Sequence, residues 1–127
     1  MNDNQVSDFM NHEPVYCNRT TRIAEIKYLL NKYNLEELIV VDEERHPIGV
    51  VNFADVDNEE IESMDIPSDV SAIECMRQIP AVVMNNSTLE ETLNVMRTNQ
   101  TTSIAVVDAN GHLEGVIEKD IITKIIM

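Results

Sequence analysis

The chain has 127 residues, 43% of them hydrophobic and only 4% aromatic with no Trp, which bounds it to one compact unit or two small halves sharing an aliphatic core. Its net charge of −14 repels phosphate backbones and anionic lipid, so nucleic acid and membrane surfaces are poor partners. No apolar run approaches the ~18 residues that span a bilayer, and the polar head Met1-Asn2-Asp3-Asn4 has no apolar h-region. The reading therefore expects no membrane insertion, no signal peptide and a cytoplasmic location.

In chain order, Val6 to Met10 reads as a helical turn and Pro14 to Cys17 as a short extended piece. Thr21 offers an N-cap to a predicted helix over 22–33, striped by Ile23, Ile26, Leu29, Leu30 and Tyr33, and Asn34 can end it. Leu38 to Val41 and Pro47 to Val51 are a strand pair around a polar turn, after which Asn52 can cap a second helix. A strongly acidic stretch follows. Ten of the 23 acidic residues lie between Asp42 and Asp69, against one Arg and no Lys. Such a run reads first as a solvated surface. A sharper reading has Asp57, Glu59, Glu60 and Glu62 drawing a divalent cation, but their spacing is not that of a calcium loop.

The same plan is then written again. Ala72 to Gln78 reads as a short helix carrying Met76, and Pro80 to Val83 as an extended piece. Ser87 with Glu90 reads as a capping box opening a helix with Leu89, Leu93 and Met96 on one face. Ser103 to Val107 and His112 to Ile117 are the second strand pair, and Asp120 to Ile126 is an Ile-rich closing helix. Val40 and Val106, Gly49 and Gly115, Met10 and Met76, and Pro14 and Pro80 are all 66 residues apart. One half is too small to bury all its apolar faces, so the halves must pack together. The fold class is α/β (α+β): two β-α-β-β-α repeats with pseudo-twofold symmetry. The boundaries are a frayed head at 1–5, repeats at 6–57 and 69–127, and an acidic linker at 58–68.

The Val-Val-Asp strand ends, the turns Glu43 to His46 and Ala109 to His112, and Gly49-Val50-Val51 with Gly115-Val116-Ile117 resemble a tandem pair of CBS domains. The resemblance spans about residues 6–127. It implies a regulatory pair whose clefts between repeats bind AMP, ADP, ATP or S-adenosylmethionine, and which commonly associates as a homodimer. The family's site motif runs Gly, two apolar residues, Thr or Ser, two more residues, then Asp. The hydroxyl caps a helix that meets phosphate, and the carboxylate accepts from ribose. Here Gly49 to Asp55 keeps the spacing with Asn52 in place of the hydroxyl, whereas Gly115 to Asp120 is one residue short and carries Glu118 where an anion would sit.

The candidate nucleotide-binding residues are thus Asp55, Asn52, Tyr16, Val15, Asp120, Lys119 and Val82, with Val83 beside them. Each has a plainer reading. Asp55 and Asp120 also suit a helix's first turn, and Tyr16, Val15, Val82 and Val83 also suit a core. Arg19, Arg22, Arg45 and Lys119 are the few cations able to meet a phosphate, which favours a monophosphate or nucleoside over a bare triphosphate. His46 and His112 read as polar turn residues, and Cys17 and Cys75 as reduced, buried thiols without metal-ligand spacing. No nucleophile–base arrangement stands out, so no enzyme, catalytic residue, metal or required cofactor is expected. Two functions remain: a regulatory module that binds an adenosine compound and signals to an unidentified partner protein, or a ligand-free dimerisation module built on the closing helix.

Overall fold

The computed structural model describes residues 4–52, 54, 70–79 and 81–126. The chain divides into two compact units, an early one, Val15–Ile79, and a late one, Met1–Pro14 with Pro80–Met127. The early unit contains β1 (Tyr16–Asn18), α1 (Ile23–Lys32), β2 (Glu37–Val41), β3 (Pro47–Asn52), α2 (Ala72–Cys75) and β4 (Arg77–Gln78). Its four strands are ordered β1-β2-β3-β4. β1 runs parallel to β2, which requires a crossover, and α1 supplies it. β2 and β3 form the hairpin expected from their apolar runs, paired Ile39 to Val50 and Val40 to Gly49.

The late unit repeats this with β5 (Val82–Met84), α3 (Leu89–Asn99), β6 (Ser103–Val107), β7 (Leu113–Glu118) and α4 (Lys119–Ile126). β5 is parallel to β6, and β6 antiparallel to β7, with Ala105 facing Val116. Even the irregularity in the hairpin recurs, between Val40 and Val41 and between Val106 and Val107.

Both main helices end alike. Asn34 and Gln100 take left-handed conformations at φ 53° and 55°. Leu35 N–H then donates to Leu30 C=O at 2.8 Å, and Thr101 N–H to Met96 C=O at 3.0 Å, satisfying carbonyls the helix leaves open. Their starts differ. Thr88 caps α3 and accepts from Glu91 N–H at 3.1 Å, so the capping pair lies one residue later than Ser87 and Glu90. The N-cap of α1 is Arg22, whose side chain makes no capping hydrogen bond. Thr21 does not cap it; its hydroxyl closes the turn after β1, accepting from Asn18 N–H at 3.1 Å. The helix predicted over 72–78 stops at Cys75, and Arg77 and Gln78 extend as β4 along β3.

Each unit is completed by a segment from elsewhere in the chain. In the early unit Arg77 pairs with Val50; in the late unit Asn11, from the head that carries the 3-10 turn Val6–Asp8, pairs with Val116. These pairs are the same pair shifted by 66 residues. The head of the first repeat therefore lies on the sheet of the second, and the head of the second on the sheet of the first. Two glycines permit this. A Cβ at Gly49 would sit 2.6 Å from Met76 Sδ and 2.7 Å from Arg77 O, and one at Gly115 would sit 2.5 Å from Met10 Sδ and 2.7 Å from Asn11 O.

The cores are aliphatic. Ile26, Leu30, Leu38, Val40 and Val51 gather between α1 and one sheet face, joined by Cys17 and Ala72. In the late unit Leu89, Leu93, Met96, Ile104 and Ile117 do the same, joined by Val6, Met10 and Ile122. Thr92 is fully buried there, and its hydroxyl donates to Thr88 C=O at 2.8 Å, so the burial leaves no orphaned group.

Candidate functional site

The face of the early sheet opposite α1 collects the sequence candidates. Cys17, Leu38, Val40 and Val51 point into the core. Their strand neighbours Tyr16, Ile39, Val50 and Asn52 therefore point the other way, since side chains alternate. Register ties them together: Tyr16 lies beside Ile39, Ile39 beside Val50, and Asn52 is two residues further along β3. Tyr16 and Asn52 stand two strand spacings and two residues apart, about 12 Å, a span that a nucleoside monophosphate can bridge. Between them Ile39 and Val50 are apolar and buried, 7% and 8% exposed, and Asn52 ends the row with an amide. Val15 is half-buried just before β1 and packs against the core. Asp55 lies outside the described residues, as does the acidic cluster Asp57 to Glu62.

Two cations flank this face. Arg45 stands over the Tyr16 ring, its guanidinium carbon 5.4 Å from the ring centre. Arg19, just after β1, pairs with Glu43 at 2.7 Å and ties the β2–β3 turn to the end of β1. The sequence reading found both as cations but not the stack, because a polar turn does not reveal where its side chains project.

The corresponding face of the late sheet is chemically different. Val82 lies beside Ala105 and occupies the place of Tyr16. Val83 points into the core, so it is a packing residue and not part of this face. Glu118, in the place of Asn52, is exposed at the end of β7. Lys119 opens α4 with its amide on Thr102 C=O at 2.8 Å, and Asp120 is exposed in the helix's first turn. The residue 66 after Asp55 is Ile121, so Asp120 is one place early. The structure brings Val82, Glu118, Lys119 and Asp120 to one end of the sheet, and Val82 and Gly111 stand where the early unit has Tyr16 and Arg45.

The two turns act as rigid clamps. Asp42 Oδ1 accepts from the amides of Glu44 and His46, both at 2.9 Å, and Oδ2 lies 3.1 Å from His46 Nδ1. Asp108 does the same with Asn110 and His112, the imidazole at 3.4 Å. The His46 amide, followed by that of Glu44 and the imidazole, holds the Asp42 carboxyl below its ordinary range against the opposing effect of burial. The His112 amide leads the same effect at Asp108. Both histidines thus fasten turns. Among the described residues no group of three or more His, Cys, Asp or Glu is placed to hold a metal. Burial pushes the Cys17 thiol up to about 12, with Cys75 and Glu25 adding to it and the Thr21 hydroxyl opposing. Cys75 is only half-buried, against the expectation of two buried thiols.

Comparison with known proteins agrees with this architecture. The CBS domain family model matches residues 6–61 and again 70–127. CBSX2 of Arabidopsis thaliana superposes with a TM-score of 0.83 at 21% identity, covering 97% of this chain and 94% of that one. A second CBSX2 structure, in complex with AMP, superposes at 0.78 and 23% identity, covering 95% and 94%. The CBS domain pair of protein MJ0100, in complex with 5-methylthioadenosine and S-adenosyl-L-methionine, superposes at 0.79 and 18% identity, covering 97% and 95%. At these identities the likeness is one of fold. Among curated proteins, uncharacterized protein MK0525 of Methanopyrus kandleri is 24% identical over 98 residues, 77% of this chain. The matched stretch spans half of that relative's length.

Proposed function

The chain belongs to the CBS domain family, which it matches twice, and on that premise we propose that it is a regulatory module that binds an adenosine nucleotide and signals to a partner protein. The observation that carries the reading is the early sheet face, where Tyr16 at one end and Asn52 at the other flank the buried apolar pair Ile39 and Val50, while Val15 adjoins Tyr16 from the core side. The base packs at Tyr16 and the ribose lies toward Asn52, with Asp55 three residues on in sequence. AMP, ADP, ATP and S-adenosylmethionine are the ligand class; the related folds with AMP and with S-adenosyl-L-methionine support it. In the late unit Lys119, Asp120 and Val82 form the weaker counterpart, with Glu118 repelling an anion. The ligand is an effector, not a required cofactor, and no catalytic step is assigned. The chain acts as a homodimer on an unidentified regulated protein, in the cytoplasm. Among the described residues no helix is long and apolar enough to cross a membrane.

Calorimetric titration with the four compounds, paired with thermal melts, tests the reading. A ligand at a hundred times its Kd adds about 2.7 kcal/mol to stability. No heat and no melting shift at millimolar concentration for any of the four overturns it.

The second reading is a ligand-free dimerisation module. It is favoured by α4, where Ile122 is buried but Ile121 and Ile125 remain 40% and 37% exposed. Sedimentation showing a monomer at high concentration sinks that reading.

A further inference from the structure

The chain has two cysteines, and both fall in the early unit. Cys17 is the middle residue of β1 and is buried in that unit's core. Cys75 ends α2, in the head of the second repeat, and packs half-buried against the same core. Head and strand meet at the turn after β1. There Ala72 N–H donates to Thr21 C=O at 2.9 Å and Ile73 N–H to Arg19 C=O at 3.0 Å. Cys75 comes three residues after Ala72, so it shares the helix face of that buried residue. Its thiol donates to Ser71 C=O at 3.6 Å, and Ser71 is bridged to Arg22, next to Thr21. Thr21 in turn has its hydroxyl on the Cys17 sulfur, and no charge acts on Cys17 more strongly than one on Cys75. In the late unit the places 66 residues away hold Phe9 and Val83. One head–sheet joint has hydrocarbon at both places, and the other has sulfur at both.

We propose that Cys17 and Cys75 are a redox pair, which a low-molecular-weight disulfide converts to a disulfide bond that fastens the second head to β1, independently of any nucleotide. The half-buried thiol is the entry point. Cys75, as thiolate, attacks one sulfur of the reagent; the reagent's S–S bond breaks, and its other half leaves as a thiolate that takes up the proton Cys75 lost. The Cys17 sulfur then attacks the Cys75 sulfur of the mixed disulfide. The second half of the reagent leaves and takes the Cys17 proton. Two protein thiols and one small disulfide thus become one protein disulfide and two small thiols. Burial sets this order: the Cys17 thiol, pushed up to about 12, is a poor first nucleophile. Capping Cys75 also removes the neighbouring negative charge that opposes ionisation of Cys17. Cys75 ends a helix of 4 residues, so moving its sulfur to bonding distance disturbs one turn and no long element. The bond joins residues 58 apart in the chain, so it restrains the unfolded state and raises the melting temperature.

The test incubates the native, reduced chain in graded mixtures of oxidised and reduced glutathione, quenches with acid and a thiol alkylator, and reads intact mass, a non-reducing peptide map and the thermal melt. The variants are Cys75→Ala and Cys17→Val, the latter carrying the residue found at the matching place in the late unit. Wild type is expected to become two hydrogens lighter, with Cys17 linked to Cys75 in the map. It then melts higher than the reduced form, and dithiothreitol reverses the shift. Cys17→Val is expected to stop at one glutathione on Cys75, and Cys75→Ala to stay unmodified while folded. Wild type that keeps a glutathione on Cys75, links two chains through it, or stays reduced at every ratio overturns the pair. A Cys17–Cys75 bond that leaves the melt unchanged or lowers it overturns the fastening.

Discussion

Replacing Gly115 by Ala probes the joint between the head segment and the late sheet. The new methyl carbon would lie 2.5 Å from Met10 Sδ and 2.7 Å from the Asn11 carbonyl oxygen. Met10 can swing aside, at the loss of some core packing. The carbonyl cannot, because Asn11 and Val116 exchange two backbone bonds, at 2.8 and 3.2 Å. Overpacking of this kind costs about 1–3 kcal/mol, and weakening one of the two bonds adds about 1 kcal/mol. Replacing a strand glycine by alanine offsets about 0.5–1 kcal/mol. The net loss expected is about 2 kcal/mol, or a fall in melting temperature of roughly 8 °C for a chain of this size. Circular dichroism melts read it directly. Limited proteolysis adds the location: cleavage should rise within residues 4–14 first, since the substitution breaks the bonds that tie Asn11 to Val116. A double-mutant cycle with Met10→Ala should show coupling on the order of 1 kcal/mol, because removing Met10 also removes half of the clash. Gly115→Ala melting within about 2 °C of wild type, with an unaltered cleavage pattern, would refute the reasoning. Gly49→Ala should behave alike, with Met76 Sδ at 2.6 Å and Arg77 O at 2.7 Å.

Other outcomes follow from the same geometry. Arg22→Thr should add about 1 kcal/mol by giving α1 the cap that α3 has, and Thr88→Ala should lose a similar amount; thermal melts check both. Asp42 and Asp108 have depressed pKa values when folded. Their contribution is therefore present above the unfolded carboxylate pKa of about 3.9 and is lost as pH falls through the folded values. Urea unfolding at neutral and strongly acidic pH should show wild type more stable than Asp42→Asn/Asp108→Asn at neutrality, with the gap closing in acid. Cys17, pushed up to about 12, should resist a thiol reagent in the native state while half-buried Cys75 reacts. Equal labelling rates in native protein would contradict its burial. Because the unfolded thiol ionises near 8.5, Cys17 should also steepen the loss of stability between about pH 9 and 12, and Cys17→Ala should flatten that limb.

The repeat made much of the architecture readable. Both strand–turn–strand pairs and the helix before each follow from one 66-residue offset in a pattern of apolar runs and turns, whereas the register that sets Val40 against Gly49 and Val106 against Gly115 is seen only in the structure. What an offset does not contain is which sheet a segment joins, since Met10 and Met76 are equally apt for either glycine. Ser87 and Thr88 both carry hydroxyls, so the sequence alone does not separate the true cap of α3, Thr88, from its neighbour. Thr21 precedes an apolar stripe as a cap does, yet the Asn18 amide takes its hydroxyl. At the site, alternation along β1 and β3 places Tyr16 and Asn52 together, while the stack of Arg45 on Tyr16 is invisible in a polar turn. Comparing Tyr16 and Arg45 with Val82 and Gly111 in the aligned repeats was the signal available. Asp55 lies outside the described residues, and its part stays a proposal.

The crossed heads have a consequence for how the protein is made. Asn11 precedes its partner Val116 by 105 residues. During translation the late sheet can close only once Val116 has emerged, long after Asn11, and the early sheet waits for Arg77 before β3 is covered. A nascent chain halted after the first repeat exposes a bare strand margin, the kind that invites self-association. Cutting the gene at the repeat boundary should therefore yield two sticky fragments rather than two small proteins, and mixing them should restore what each lacks.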